Sequence, residues 1–209
     1  MPPRQRNARG EGAKLRDDLL AGAQRILEHT GSEDAVSLRA VAREAGVSAP
    51  SIYAHFPDGP AIIESLVQQT FVQLSVVLAD AREHASPNER LNAVCAAYIR
   101  FGIDQPVRYQ TLFERRRSLE RTQQLAAEDP RFAYSKGGEA FAILVEAFAE
   151  NVGISTEAAE QDAALLWAGL HGYVTLRASM PRFPWFTDED NVSAALVDRA
   201  VSFARRSGG

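Results

Sequence analysis

Residues 37–56, SLRAVAREAGVSAPSIYAHF, leave this chain few choices. Leu38, Val41, Ala42 and Ala45 fall at i, i+3, i+4 and i+7, which predicts a short helix over 38–45 with one buried face. Ser37 stands where an N-cap belongs. Gly46 supplies the turn, and Val47 can pack beneath it. Ser48 caps a third helix, and Pro50 fits only in its first turn, where the missing N–H has no helical partner in any case. Ile52 and Phe56 share one face of that helix, and Ser51 and His55 an adjacent one. A short helix, a glycine turn and a second helix with small side chains at its start make a helix–turn–helix, whose second helix enters the DNA major groove. Ser48, Ala49 and Ser51 allow close approach, their hydroxyls suit phosphate or base edges, and the positive helix start suits a phosphate.

The remaining periodicity is helical throughout. Residues 1–12, rich in Pro, Arg and Gly, have no apolar pattern and predict a flexible basic arm. Leu15, Leu19, Ala23, Ile26 and Leu27 predict a first helix over 13–29, ended by Gly31. After the break Pro57-Asp58-Gly59-Pro60, helices are predicted over 60–84, 87–104, a short stretch from Pro106, and 131–151, 156–180 and 188–205. Residues 114–130 are densely charged and read as a solvated connection. On the last helix Val192, Leu196, Ala200 and Phe203 form the stripe. The fold class is therefore all-α, with about nine helices. An N-terminal three-helix unit, 13–59, is joined by a long helix to a larger helical bundle, 60–209.

Charge supports a division of labour. The chain of 209 residues carries a net charge of −4, so no global basic field draws it to nucleic acid. Residues 1–56 hold eight basic and seven acidic side chains, and the remainder fifteen and twenty. A mildly basic head on an acidic body fits a DNA contact at one end, or merely a basic tail. Cys95 is the sole cysteine, which excludes an intrachain disulfide, and its apolar surroundings make it a small buried hydrophobe. The Arg-rich start lacks the apolar core of a signal peptide, and no uncharged stretch reaches membrane-span length, so the expected location is cytoplasmic. No nucleophile elbow, phosphate-binding glycine loop or Cys/His metal cluster is present, so neither an enzyme nor a cofactor is expected.

The run L-R-x-V-A-x-x-A-G-V-S-x-x-x-I-Y-x-H-F, Leu38 to Phe56, resembles the DNA-binding signature of the TetR family of bacterial transcription regulators, at full length and without a gap. Trp167-Ala-Gly-Leu-His171-Gly172, followed by Arg182-Phe183-Pro184-Trp185, is similar to the subfamily named for a Trp-His-Gly motif. The resemblance implies a homodimer joined through the last two long helices. It implies a palindromic double-stranded operator and a small-molecule effector, apolar or amphipathic, that releases the DNA, usually from a repressor. By matched position, Ser48, Pro50 and Ser51 face the groove, and Tyr53 and His55 meet phosphate. Ser37 and Arg39 meet the opposite phosphate strand, while Phe56 is core. One departure stands out: the family commonly has Lys then Glu where this chain has Gly59 and Pro60. A regulator without an effector, an activator, and a helical ligand-binding protein that has lost DNA binding are the alternatives.

In the body, Tyr98, Phe101, Tyr109, Phe113, Phe141 and Phe148 either line an apolar cavity or fill the core. Trp167 and His171, four apart on one helix, are effector contacts or else packing and interface residues. Gly169 and Gly172 favour close helix–helix approach nearby.

Overall fold

The computed structural model describes residues 11–113, 137–185 and 188–207. Among these the regular structure is entirely helical: α1 (Glu11–Thr30), α2 (Leu38–Glu44), α3 (Ala49–Ile52), α4 (Gly59–His84), α5 (Arg90–Asp104), α6 (Pro106–Phe113), α7 (Gly138–Val152), α8 (Thr156–Ser179) and α9 (Glu189–Ser207), with a 3₁₀ turn over Glu33–Ala35. The predicted arm, up to residue 10, and the charged connection over 114–130 lie outside the described residues, as does the first part of the helix predicted over 131–151. The chain divides into two compact units between Gln69 and Thr70, within α4.

The first unit packs α1 on α2 and α2 on α3. Leu19, Leu20, Ala23 and Leu27 of α1, Val41 and Ala42 of α2, and Ile52 and Phe56 are buried, and Ile62, Ile63, Leu66 and Val67 bury the apolar face of the first turns of α4. Arg16 works at this core's edge. Its guanidinium lies 5.1 Å from the centroid of the Phe56 ring and donates to Ser65 Oγ at 2.9 Å.

The second unit is organised around α5, which packs against α6, α7, α8 and α9. Leu91, Val94, Cys95, Ala96, Ala97, Tyr98, Ile99, Phe101 and Gly102 are all buried, so most of its circumference is apolar because most of it is covered. Burial pushes the Cys95 thiol far above its ordinary range, in keeping with a packing role. Phe148 of α7 and Leu170 of α8 are fully enclosed. At one end of the bundle Arg82 of α4 pairs with Glu146 at 2.7 Å and with Glu150, both on α7, and Arg90 of α5 reaches Glu150 at 3.3 Å.

One helix end and one buried face differ from expectation. The third helix is a single turn, Ala49–Ile52, followed by Tyr53 to His55 in turn conformation. Phe56 N–H still bonds Ile52 C=O at 2.9 Å, which keeps both side chains on the buried face. The helix stops because Asp58 must begin α4: its Oδ1 accepts from Ala61 N–H at 2.8 Å as an N-cap. On α9 the buried stripe is Ser193, Val197, Val201 and Ala204, while Val192, Leu196 and Ala200 are half-buried and Phe203 is exposed. The helix is turned by one residue, about 100°, from the sequence expectation. By length and composition α4 could cross a membrane, with a window of mean hydropathy 1.4, but 39% of that window is buried inside the protein.

Candidate functional site

The turn between α2 and α3 is built from local chemistry. Ser37 Oγ accepts from Ala40 N–H at 3.2 Å and caps α2. At the other end Gly46 has φ +69°, in the left-handed region that a side chain disfavours. Gly46 N–H bonds Arg43 C=O at 3.2 Å, and Val47 N–H bonds Ala42 C=O at 2.9 Å. This is the double closure of a Schellman motif, which satisfies two carbonyls of the helix end. Arg25 of α1 holds Glu44 at 2.7 Å, fixing the α2 terminus from outside.

The surface that follows is small and nearly uncharged. Ser48, Ala49, Pro50, Tyr53 and Ala54 are exposed, and Ser51 and His55 are half-buried. Tyr53 is 58% exposed. Ser48 occupies the N-cap position, but its hydroxyl does not cap the helix. It bonds the Ser51 hydroxyl, Oγ to Oγ, at 2.8 Å. With one helical turn, α3 also sums few peptide dipoles, so the electrostatic pull expected at its start is smaller than a full helix would give. Ser37 and Arg39 are exposed at the start of α2. All eight residues singled out in the sequence for DNA contact therefore lie in one segment, 37–55, with no buried side chain among them.

Gly59 explains the departure from the family pattern. A Cβ there would lie 2.7 Å from the Val36 carbonyl oxygen, closer than real Cβ atoms come to backbone. The start of α4 runs hard against the segment before α2, and no side chain fits at this position without a backbone shift.

In the second unit the predicted aromatic residues split into two sets. Trp167 Nε1–H donates to Tyr98 Oη at 2.9 Å, Tyr98 and Tyr109 share a hydroxyl–hydroxyl bond of 2.9 Å, and Tyr109 Oη lies 2.7 Å from His171 Nδ1. This hydrogen-bonded chain ties α5, α6 and α8 together. Burial pushes the Tyr98 phenol up to about 12, against the opposing effect of its bonds to Tyr109 and Trp167, so it stays protonated and able to donate. Phe113 packs on His171 at 4.8 Å, on Tyr109 at 4.9 Å and on Trp167 at 6.0 Å. Phe101 and Phe148, 3% and 0% exposed, are core residues with no polar group to join the chain.

Phe71, which the sequence did not single out, and Phe141, which it did, complete the cluster. Phe71 of α4 meets Phe113 edge-on at 5.9 Å, and Phe141 of α7 meets Trp167 at 6.3 Å. Gly102 lets α8 and Tyr109 close in: a Cβ there would stand 2.5 Å from Val174 Cγ1 and 3.0 Å from Tyr109 Cδ2. A glycine inside a strongly apolar helix was the available signal for that approach. Of the two glycines on α8, Gly169 faces Leu196 of α9, with 3.3 Å to a hypothetical Cβ, whereas Gly172 has open space. The Arg182–Trp185 segment folds back: Trp185 Nε1–H donates to Met180 C=O at 2.8 Å, and its ring meets Tyr173 at 5.6 Å and Phe183 at 4.7 Å. Among the described residues there is no group of three or more His, Cys, Asp or Glu side chains suited to a metal.

Residues 19–66 match the bacterial regulatory proteins of the tetR family, and residues 91–200 match the tetracyclin repressor-like C-terminal domain. The second match alone spans more than half of the chain. The chain belongs to the TetR family. The Trp-His-Gly subfamily is a finer assignment than this match carries. Solved structures share the fold. A protein of unknown function from Rhodococcus sp. RHA1 superposes with TM-score 0.72 at 25% identity, covering 97% of this chain and 98% of that one. The TetR family transcriptional regulator PfmR from Thermus thermophilus superposes with TM-score 0.60 at 19% identity, covering 88% and 97%. A TetR-like transcriptional regulator from Rhodococcus sp. RHA1 gives TM-score 0.60 at 15% identity over 100% of both chains. No curated protein sequence matches the chain significantly. As a TetR-family protein, the chain is a DNA-binding transcription regulator in fold and domain make-up.

Proposed function

We propose that this regulator is a homodimeric repressor that binds a palindromic operator and is released by a small apolar or amphipathic effector. The observation that carries the DNA-binding part is the exposed, small, hydroxyl-bearing segment Ser48–Ser51, set out by the Gly46 turn. In this reading Ser48, Ala49, Pro50 and Ser51 face the bases, Tyr53 and His55 hold phosphate, and Ser37 and Arg39 hold the opposite strand. Phosphate contacts position and base contacts specify, so the two sets fail differently when mutated. Arg39→Ala lowers affinity for every sequence and shallows the salt dependence.

The dimer reading is supported by apolar side chains that are partly exposed on the last two helices. Leu165 and Leu176 of α8 are 61% and 48% exposed, and Phe203 of α9 is 52% exposed. The effector reading is supported by Trp167, His171 and Phe113, which are half-buried beside buried Tyr98 and Tyr109. An apolar wall with a few convergent polar groups is the usual make-up of a small-molecule site. The effector acts only if it binds the DNA-incompetent form more tightly than the competent one.

A gel-shift on DNA flanking the chain's own gene tests the proposal. A retarded band dispersed by a metabolite supports it. A band indifferent to metabolites removes the effector, and the lack of any band removes operator binding.

A further inference from the structure

The DNA-facing segment is unusual for what it lacks. Between Ala45 and Pro57 the sequence is AGVSAPSIYAHFP, with no Arg, Lys, Asn, Gln, Asp or Glu. Those are the side chains that distinguish bases by hydrogen bonding in the major groove: Arg and Lys for guanine, Asn and Gln for adenine, Asp and Glu for the cytosine amine. The charged residues bounding the segment are already engaged. Glu44 is paired with Arg25 at 2.7 Å, and Asp58 caps α4 through Ala61 N–H at 2.8 Å.

With Tyr53 and His55 assigned to phosphate, the polar groups that remain, Ser48 and Ser51, discriminate poorly. The Ser48 and Ser51 hydroxyls bond each other at 2.8 Å, which uses one of their two protons. One donor is left for the pair. It suits thymine O4, guanine O6 or N7, or a phosphate equally, because serine bonds to either base type.

What remains exposed and rigid is apolar. Ala49 and Pro50 stand side by side on the surface, and neither loses side-chain rotamer entropy on contact. The major groove offers such groups one apolar landmark, the C5 methyl of thymine. Resting on the reading of this segment as the DNA contact, we infer that the chain reads its half-site chiefly through thymine methyl groups, packed against Ala49 and Pro50. The hydroxyl pair contributes affinity without choosing the base.

The test uses the full-length protein and a random duplex DNA library to select the half-site, after which each thymine is replaced in turn by deoxyuridine. This exchange deletes only a methyl and keeps every hydrogen-bonding group. The inference expects one or two neighbouring thymines per half-site whose replacement weakens binding about three- to fivefold each, the equivalent of one desolvated methyl. In the Ala49→Gly or Pro50→Ala variant, with folding checked by thermal melting, the same replacement should have a smaller effect, since the contact is already lost. Deoxyuridine without effect at every position overturns the inference. So does a full effect that persists in both variants, or a half-site whose affinity hangs on a guanine N7. If the library yields no enriched DNA at all, operator binding itself fails and the inference falls with it; enrichment of a methyl-insensitive site overturns the inference alone.

Discussion

Tyr109 and His171, on α6 and α8, are joined twice: Oη lies 2.7 Å from Nδ1, and the rings stack with centroids 5.7 Å apart. Tyr109 also bonds Tyr98, which accepts from Trp167, so one phenol stands at the middle of a chain across three helices. A hydroxyl in that position is costly to delete, because buried Tyr98 and half-buried His171 keep their desolvation penalty and lose the bond.

Tyr109→Phe should therefore destabilise the second unit by about 1–3 kcal/mol, seen as a lower urea midpoint with unchanged slope. Tyr98→Phe, which strips the acceptor from Trp167 as well, should cost at least as much. Equal stability of Tyr109→Phe and the parent would mean that the chain of hydroxyls does not form in solution.

Gly59→Ala should lower the melting temperature, because the added Cβ meets the Val36 carbonyl oxygen at 2.7 Å. Overpacking of this kind costs about 1–3 kcal/mol. Gly59→Lys should be no more stable, and its extra cation should not recover the binding that the common family residue implies. A Gly59→Lys variant that melts like the parent and binds operator more tightly would refute this account of the glycine.

Leu165→Glu and Phe203→Glu should each yield monomers in sedimentation, with much weaker operator binding. Leu165 is 61% exposed in the single chain, so the folded protomer should survive a charge there. Leu196→Glu is a blunter probe: Leu196 is half-buried and already packs on Gly169, so it tests the protomer together with the dimer. Dimers that persist in both exposed-site variants would place the interface elsewhere.

Acid should loosen the Arg82–Glu150–Arg90 tie. Burial pulls the Glu150 carboxyl upward, but hydrogen bonds and charge from Arg82 and then Arg90 outweigh it and hold the group below its ordinary 4.5. A depressed carboxylate contributes stability above its unfolded value and loses it as pH falls through the lower folded one. Glu150→Gln should thus be less stable than the parent at pH 7. It should also lose less on acidification below about pH 4.5, the two melting curves converging toward low pH. Parallel curves would show that the pair is screened out at this half-exposed site.

The helix–turn–helix was legible because its punctuation is local. Ser37 caps within three residues, and the left-handed Gly46 closes α2 by bonds to Ala42 and Arg43. The end of α3 was not legible, because it is decided by α4: Asp58 must cap and Gly59 must clear Val36, and neither demand is visible in the periodicity of 48–56. On α9 two neighbouring stripes are both apolar, and only the packing of α5 and α8 chooses Val197 and Val201 over Leu196 and Ala200. Trp167, His171, Tyr98 and Tyr109 were each conspicuous in the sequence. Their hydrogen-bonded order was not, since the bonded Tyr98 and Trp167 stand 69 residues apart and only the folded helices bring the four to one line.

The single turn of α3 has a consequence for how this reader could be moved or copied. Four helical residues lie far below the length at which a helix holds in water by itself. The segment owes its shape to the Gly46 closure before it, the Asp58 start after it, and Arg16, which lies across Phe56 and fastens to Ser65. A synthetic peptide of residues 48–56 should be a random coil that ignores DNA, and grafting those nine side chains onto an ideal helix should not transplant the specificity. The smallest part expected to keep the segment's shape is the whole N-terminal unit.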